Sequence, residues 1–393
     1  MKRFIATLIS FFCVFSIVAC STSPSNSSQS DNQATNSESG SSESSTVVNA
    51  ELTLELPTDP VSVLSAAAET YFASDIETIL QTAIAEHTEL NKDKAEGVTI
   101  SYSLEGLTDG VEALWVRAEI FEKGQTKAWK TLSFAEGETS TIVYNCKTGM
   151  TYEVELSAKL SNATFVSANG EFTTKESMRM MRIDGIHNVR DIGGYTTVDG
   201  KKIKQGLLYR GTELDNAVEP TFSLQPAGVR EMTNVLGIKY DMDLRKPLNG
   251  AKNVLGVSYK VYDAPHYNSA FFEPGKTSLK NVFTDMANPN NYPMYVHCTY
   301  GKDRTGTVCF ILGALLGMSE EDLIRDFEIS GLTDRNSGHN REGYFMQFLD
   351  NFKGNDLMPQ GTTLQEKAEY YLLDYCGLTE GQINNIKSIF LVE

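Results

Sequence analysis

An apolar stretch, Met294-Tyr295-Val296, runs directly into His297-Cys298-Thr299-Tyr300-Gly301-Lys302-Asp303-Arg304-Thr305-Gly306, and an apolar segment of helical length, Thr307 to Leu316, follows. The run therefore sits where a buried strand hands over to a helix. A helix N-terminus leaves its first amides unpaired, and the turn before it adds further inward N–H groups, so the loop forms a concavity suited to a dianion such as phosphate. Gly301 and Gly306 let the backbone curl close, and Arg304 offers a planar guanidinium that takes two phosphate oxygens in a grip lysine does not reproduce. Cys298, at the strand's end, faces the phosphorus. The field that attracts phosphate also favours thiolate, and a hydroxyl such as that of Thr305 can donate to the sulfur, so Cys298 is expected to titrate well below the roughly 8.5 of a free thiol.

These residues suit a two-step displacement. The Cys298 thiolate attacks a phosphate monoester in line, a cysteinyl-phosphate forms while Arg304 and the loop amides carry the equatorial oxygens, and water then hydrolyses it. The scheme calls for no metal and no cofactor. Gly301-Lys302 invites comparison with a Walker nucleotide loop, but the upstream glycine is missing and Asp303 follows the lysine where Ser or Thr is required. A buried, inert cysteine is the common fate of a lone Cys; the arginine six positions on, the two glycines and the strand-to-helix setting argue against it here.

The run resembles the signature of the protein tyrosine phosphatase superfamily, and H-C-x-x-G-K-D-R-T-G is similar to the bacterial tyrosine phosphatase family 3, whose lipid-active and dual-specificity members share Lys and Asp inside the loop. Further likenesses lie at Ile186 to Gly211, which contains H-N-V-R-D-I-G-G-Y and L-L-Y-R-G, at Leu236 to Pro247 with its D-L-R, and in the tail from Thr363 onward. Together they span residues 178–393. The resemblance implies Cys298 as nucleophile, Arg304 as phosphate clamp, and Thr299, Tyr300, Gly301, Lys302, Asp303, Thr305 and Gly306 as phosphate-binding loop. Tyr300 stands where relatives often carry a small residue such as Ala, either narrowing the mouth or stacking on a substrate ring, or else packing against the neighbouring N-terminal segment. Val189 replaces a Phe, a change of packing.

A leaving oxygen needs a proton, normally from an aspartic acid. No W-P-D loop is present; Asp303 and Asp263, in V-Y-D-A-P-H, are equal candidates, with Asp243 a third. Asp243 and Asp191 each neighbour an arginine and read as structural ion pairs or turn caps. His297 is expected to orient the cysteine backbone, and His266 and His339 lack metal-site spacing.

Met1-Lys2-Arg3 followed by apolar Phe4 to Ala19 has the form of an export signal, and Ile17-Val18-Ala19-Cys20 looks like a bacterial lipobox, implying lipid on Cys20. Residues 20–48, rich in Ser, Asn, Gln and Thr, read as a disordered tether. The expected location is the cell membrane, lipid-anchored and facing outside the cytoplasm. A net charge of −17 argues against nucleic acid and against electrostatic attachment to anionic lipid. Beyond Cys20, Cys146, Cys298, Cys309 and Cys376 have no disulfide-framework spacing, with Cys309 expected as a core thiol.

Residues 49–97 read as a partly helical segment. From Val98 the period becomes two, giving short strands broken by Gly, Asp and Asn that suit a β-sandwich over residues 98–176. K-T-G-M-T-Y-E-V-E-L-S-A resembles the tyrosine-corner strand of fibronectin type III modules, and Trp115 and Trp129 read as sandwich core. The expected chain is multidomain, a small β-sandwich before an α/β cysteine-phosphatase domain whose central sheet is flanked by helices at 225–236, 306–317, 319–330, 341–352 and 364–374. The expected activity is hydrolysis of phosphate monoesters, protein phosphotyrosine first, with phosphoserine/threonine or phosphoinositides as alternatives. A surface-anchored binding protein whose sandwich engages a protein partner, its loop merely holding an anion, is the reading from another class; rhodanese-like sulfur transfer does not call for Lys-Asp-Arg-Thr-Gly.

Overall fold

The computed structural model describes residues 50–75, 95–247, 251–331, 344–354 and 360–392. The export signal, Cys20, the tether, the second half of the helical stretch before residue 95, and His339 lie outside the described residues.

The alternating segments form two antiparallel sheets. One has the order β1-β2-β5, from β1 (Glu51–Glu55), β2 (Val98–Glu105) and β5 (Ser140–Val143); the other is β4-β3-β6-β7, from β3 (Ala113–Glu122), β4 (Lys130–Ser133), β6 (Thr151–Leu160) and β7 (Phe165–Thr173). Leu52, Val98, Ile100 and Val143 of the first meet Val116, Ala118, Ile120, Val154, Leu156 and Phe172 of the second in one apolar cluster. Within the stretch read as partly helical, Ala66–Ala73 (α1) is a helix capped by Ser65, but Glu51–Glu55 is a strand paired with β2. Its Glu-Leu-Thr-Leu-Glu alternation carries that signal. Trp129 packs on Tyr152 at 5.4 Å beside the core, whereas Trp115 has the opposite parity to Val116, Ala118 and Ile120. Trp115 therefore lies on the outer face, under Arg117 at 5.1 Å and against Phe165 at 6.0 Å, which corrects the expectation that it is core. The Tyr152 hydroxyl accepts from the Lys147 amide at 2.6 Å, closing the corner that leads into β6.

The remaining strands are β8 (Arg190–Asp191), β9 (Leu208–Gly211), β10 (Tyr240–Asp243), β11 (Ser258–Val261) and β12 (Met294–His297), in the order β11-β10-β12-β9-β8. All neighbours are parallel except β8 with β9. Such a sheet requires cover on both faces, supplied by α2 (Pro226–Arg230), α3 (Gly275–Met286), α4 (Asp303–Leu316), α5 (Glu320–Glu328), α6 (Tyr344–Lys353), α7 (Leu364–Tyr370) and α8 (Glu380–Phe390). Helix α3 lies in a stretch given no helix from the sequence, although Leu279, Val282, Phe283 and Met286 recur at the helical period and are buried. Helix α4 is buried from Thr305 to Leu316, with Cys309 in the core. β12 thus has a strand on each edge, and the loop that follows it opens at the carboxyl end of the sheet, where parallel sheets place ligands.

The two-sheet unit is joined to this α/β part by buried polar contacts. Arg179, 1% exposed, donates to the carbonyls of Asn145 at 2.6 Å and Cys146 at 3.1 Å and pairs with Asp191 at 2.8 Å. Asp191 also accepts the Gly193 and Gly206 amides, at 2.8 and 2.6 Å, and is structural as expected.

Candidate active site

The loop from Cys298 to Arg304 is held from outside by its own carbonyls. His297 Nδ1 lies 3.3 Å from the Cys298 carbonyl, the Glu213 amide donates to Thr299 O at 3.0 Å, Asn188 Nδ2 to Tyr300 O at 2.9 Å, and Arg210 Nη2 to Gly301 O at 2.8 Å. With its carbonyls engaged, the loop has amides to spare. Among the described residues those of Thr299, Gly301, Lys302 and Asp303 donate to no acceptor, the condition for an anion cradle. Gly301 makes the turn possible: its φ is +67°, and a Cβ there would stand 2.3 Å from the Gly211 carbonyl oxygen. Gly306 lets the first turn of α4 lie against Phe327, whose ring would be 2.7 Å from an added Cβ.

Cys298 follows β12 directly and is only 3% exposed. Arg304 is half-buried, its Nε donating to the Ala264 carbonyl at 3.0 Å, while Nη1 and Nη2 have no partner among the described residues. One nitrogen is anchored and the fork stays free for an oxyanion. Arg304 and Asp303 line a cleft of about 380 Å³ together with His266, Tyr267 and Tyr344. Tyr267 donates its hydroxyl to Asp303 and stacks on Tyr344 at 6.0 Å. Burial, then the neighbouring Asp303 carboxylate, push the Tyr267 phenol up, so it remains a donor. The chain reaches this place through two residues in the left-handed region, Asp263 at φ 48° and Tyr267 at φ 50°, a cost of the kind that clusters at functional sites.

Asp263 itself is exposed, next to the Ala264 carbonyl that anchors Arg304. Lys302 is buried, and burial lowers its ammonium against the pull of Asp303, Glu328 and Cys298. Tyr300 packs edge-on against Phe222 at 5.8 Å. The Thr305 hydroxyl is buried and makes no hydrogen bond among the described residues, to the Cys298 sulfur or elsewhere. Asp243 is taken up by Arg245 at 2.6 Å and by the Tyr259 hydroxyl at 2.8 Å.

Behind the cysteine, His297 Nε2 meets Asp241 at 3.0 Å, both side chains 1% exposed. Burial alone would lower the imidazole; Asp241 and Asp243 override it and push it up to about 9. Protonated, its Nδ1 donates to the Cys298 carbonyl, fixing the backbone as the sequence suggested. Asn188, Arg210, Tyr267 and Asp241 were given no role from the sequence. Asn188 and Arg210 fall inside the H-N-V-R-D and L-Y-R-G segments, so the signal existed, but nothing in the spacing says that both reach the loop.

The sequence model of the tyrosine phosphatase family matches residues 181–392. Over 179 residues the chain is 25% identical to a Cupriavidus necator protein named "Putative tyrosine-protein phosphatase", covering 37% of this chain and 61% of that one, so it spans about three fifths of that curated relative. Among solved structures it is similar to the core catalytic domain of the PP-IP phosphatase SIW14 from S. cerevisiae in complex with citrate, at 15% identity and a TM-score of 0.26, over 38% of this chain and 90% of that one. The family's segment takes in more than half of the 393 residues, and this chain belongs to the tyrosine phosphatase family.

Proposed function

We propose that the protein hydrolyses phosphate monoesters through a covalent intermediate on Cys298, with protein phosphotyrosine as its substrate. The carrying observation is the loop tied outward by four carbonyls, with the free fork of Arg304 at its rim. The Cys298 sulfur forms a bond to phosphorus as the ester P–O bond breaks, and Asp303 gives its proton to the leaving oxygen. Water then attacks phosphorus, the S–P bond breaks, Asp303 takes back a proton and phosphate leaves. Arg304 and the unpaired amides carry the charge of both transition states. Asp303 is preferred to Asp263 because it lines the cleft beside Arg304 and is oriented by Tyr267, while Asp263 is exposed. The rings of Tyr267, Tyr344 and His266 around the cleft favour an aryl ester.

Supporting parts of the same reading are an export signal with lipid on Cys20, which places the enzyme on the outer side of the membrane, and a fibronectin type III-like module formed by the two antiparallel sheets. The corner made by Tyr152 and Lys147 supports the module assignment, and a protein partner is its proposed ligand.

Turnover of para-nitrophenyl phosphate in excess chelator tests the chemistry. Cys298→Ser should lower kcat by more than about 1000-fold. Asp303→Asn should lose more activity on phenyl phosphate than on para-nitrophenyl phosphate, because the poorer leaving group needs the proton more. Full activity of Cys298→Ser, or equal losses on the two esters, would reject the nucleophile or the acid respectively.

A further inference from the structure

Two buried arginines support the loop, and one carboxylate supports both of them. Asp326 extends from α5. Its Oδ1 accepts from Arg190 Nε at 2.8 Å, its Oδ2 accepts from Arg210 Nη1, and its backbone carbonyl accepts from Arg190 Nη2 at 2.5 Å. Arg210 continues to the Gly301 carbonyl at 2.8 Å. Arg190 continues to Asn188, donating from Nη1 to its side-chain oxygen at 2.5 Å, and Asn188 Nδ2 holds the Tyr300 carbonyl at 2.9 Å. Consecutive carbonyls of the phosphate loop are thus fixed by two routes that meet at one carboxylate.

We propose that Asp326 is a positioning residue of the phosphate site: it sets the two arginine-based supports of Tyr300 and Gly301 and so aims the loop amides at the anion, without touching substrate. Arg190 and Arg210 are both fully buried and lie close enough to repel. Without the shared anion they cannot both keep these places, because a buried charge stripped of its counter-ion is strongly disfavoured. Burial pushes the Asp326 carboxyl up, and the two guanidinium groups more than reverse that, leaving it lower than an ordinary aspartate. A carboxylate held in this way stays charged through the whole neutral range. A displacement of about 1 Å in groups that orient a reacting phosphate costs about 100-fold in rate, and the two routes end on the adjacent Tyr300 and Gly301 carbonyls of the loop.

The inference rests on the hydrolase reading of the site, and the test separates the two. Asp326→Asn, checked for folding by circular dichroism, is assayed for kcat/KM on para-nitrophenyl phosphate and for vanadate affinity by calorimetry. The expected result is that both fall by a similar factor, between about 10- and 100-fold, that Arg210→Lys costs less than Asp326→Asn because the Arg190 route survives it, and that the double variant loses clearly less than the product of the two separate losses, because the Arg210 route is common to both. Retention of both quantities within twofold, or losses that multiply in the double variant, would overturn the proposal. If Asp326→Asn does not fold, Arg210→Lys decides: lysine keeps the charge but cannot bridge Asp326 and Gly301 together, and full vanadate affinity in that variant would overturn the proposal. A wild-type protein that binds vanadate but turns over no ester would defeat the hydrolase reading alone.

Discussion

His297 shows how a single side chain is tuned by what surrounds it. Sequestered from water it should be neutral, yet Asp241 at 3.0 Å and Asp243 beyond push it up to about 9, against about 6.5 for an unfolded histidine. A group that holds its proton more tightly when folded contributes stability that is complete below the unfolded value and is lost as pH rises through the folded one. The contribution of this pair is therefore full in mild acid and fades between about 6.5 and 9. Denaturant midpoints taken at about pH 6 and about pH 9.5 should fall further for wild type than for His297→Asn, in which the same background groups titrate. Parallel declines would show that the pair does not carry this dependence. The prospective acid, Asp303, illustrates the reach of sequence at the same scale. Its place in the loop could be read from spacing, but its hydrogen bond from Tyr267, 36 residues away, could not.

At the scale of elements, the strand-loop-helix unit from β12 to α4 was legible because its signals are local: an apolar run, two glycines and the helical segment after them. Its support was not, because the residues holding Tyr300 and Gly301 lie 112 and 91 positions away in sequence. Strand β1 and helix α3 were missed for another reason. Each carries the right period, but β1 is a short run beside a polar, Ser-rich stretch of sequence and α3 begins without a side-chain cap, so the usual start signal is absent. Gly301 condenses the element's geometry into one position. An L-residue at φ +67° pays roughly 1–2 kcal/mol for the left-handed conformation alone, and its Cβ would press on the Gly211 backbone, which cannot rotate away as a side-chain end could. Gly301→Ala should lower kcat/KM by about 100-fold or more together with a lower melting temperature. Wild-type kinetics in that variant would mean that the loop tolerates a different path between Cys298 and Arg304.

For the whole molecule, the decisive question is whether the two-sheet unit is a passenger or part of one folding unit with the α/β sheet. The alternating pattern before residue 176 suggested an independent module, and its apolar core is indeed its own. The contacts across the boundary are of another kind. Arg179 places its charge, 1% exposed, between the Asn145 and Cys146 carbonyls at the corner leading to β6 and the Asp191 carboxylate beside β9. Asn145 in turn binds the Arg182 backbone at 2.7 and 3.1 Å and the Glu231 carboxylate at 2.7 Å, and Lys130 pairs with the same Glu231 at 2.8 Å. Independent modules meet through surfaces that water can re-enter, whereas here a buried guanidinium of the α/β part, already paired with Asp191, gives two further hydrogen bonds to carbonyls of the two-sheet unit, so separating the two leaves that charge partly unsatisfied. Replacing Arg179 by methionine keeps the volume and removes the charge, and should cost about 3–5 kcal/mol. Calorimetry of wild type should give one transition for both parts, and Arg179→Met should lower the midpoint of the α/β part and separate it from that of the two-sheet unit. Two transitions already in wild type, or an Arg179→Met protein as stable as its parent, would mean that the corner is a contact of convenience and that the sheets and the phosphatase fold stand on their own.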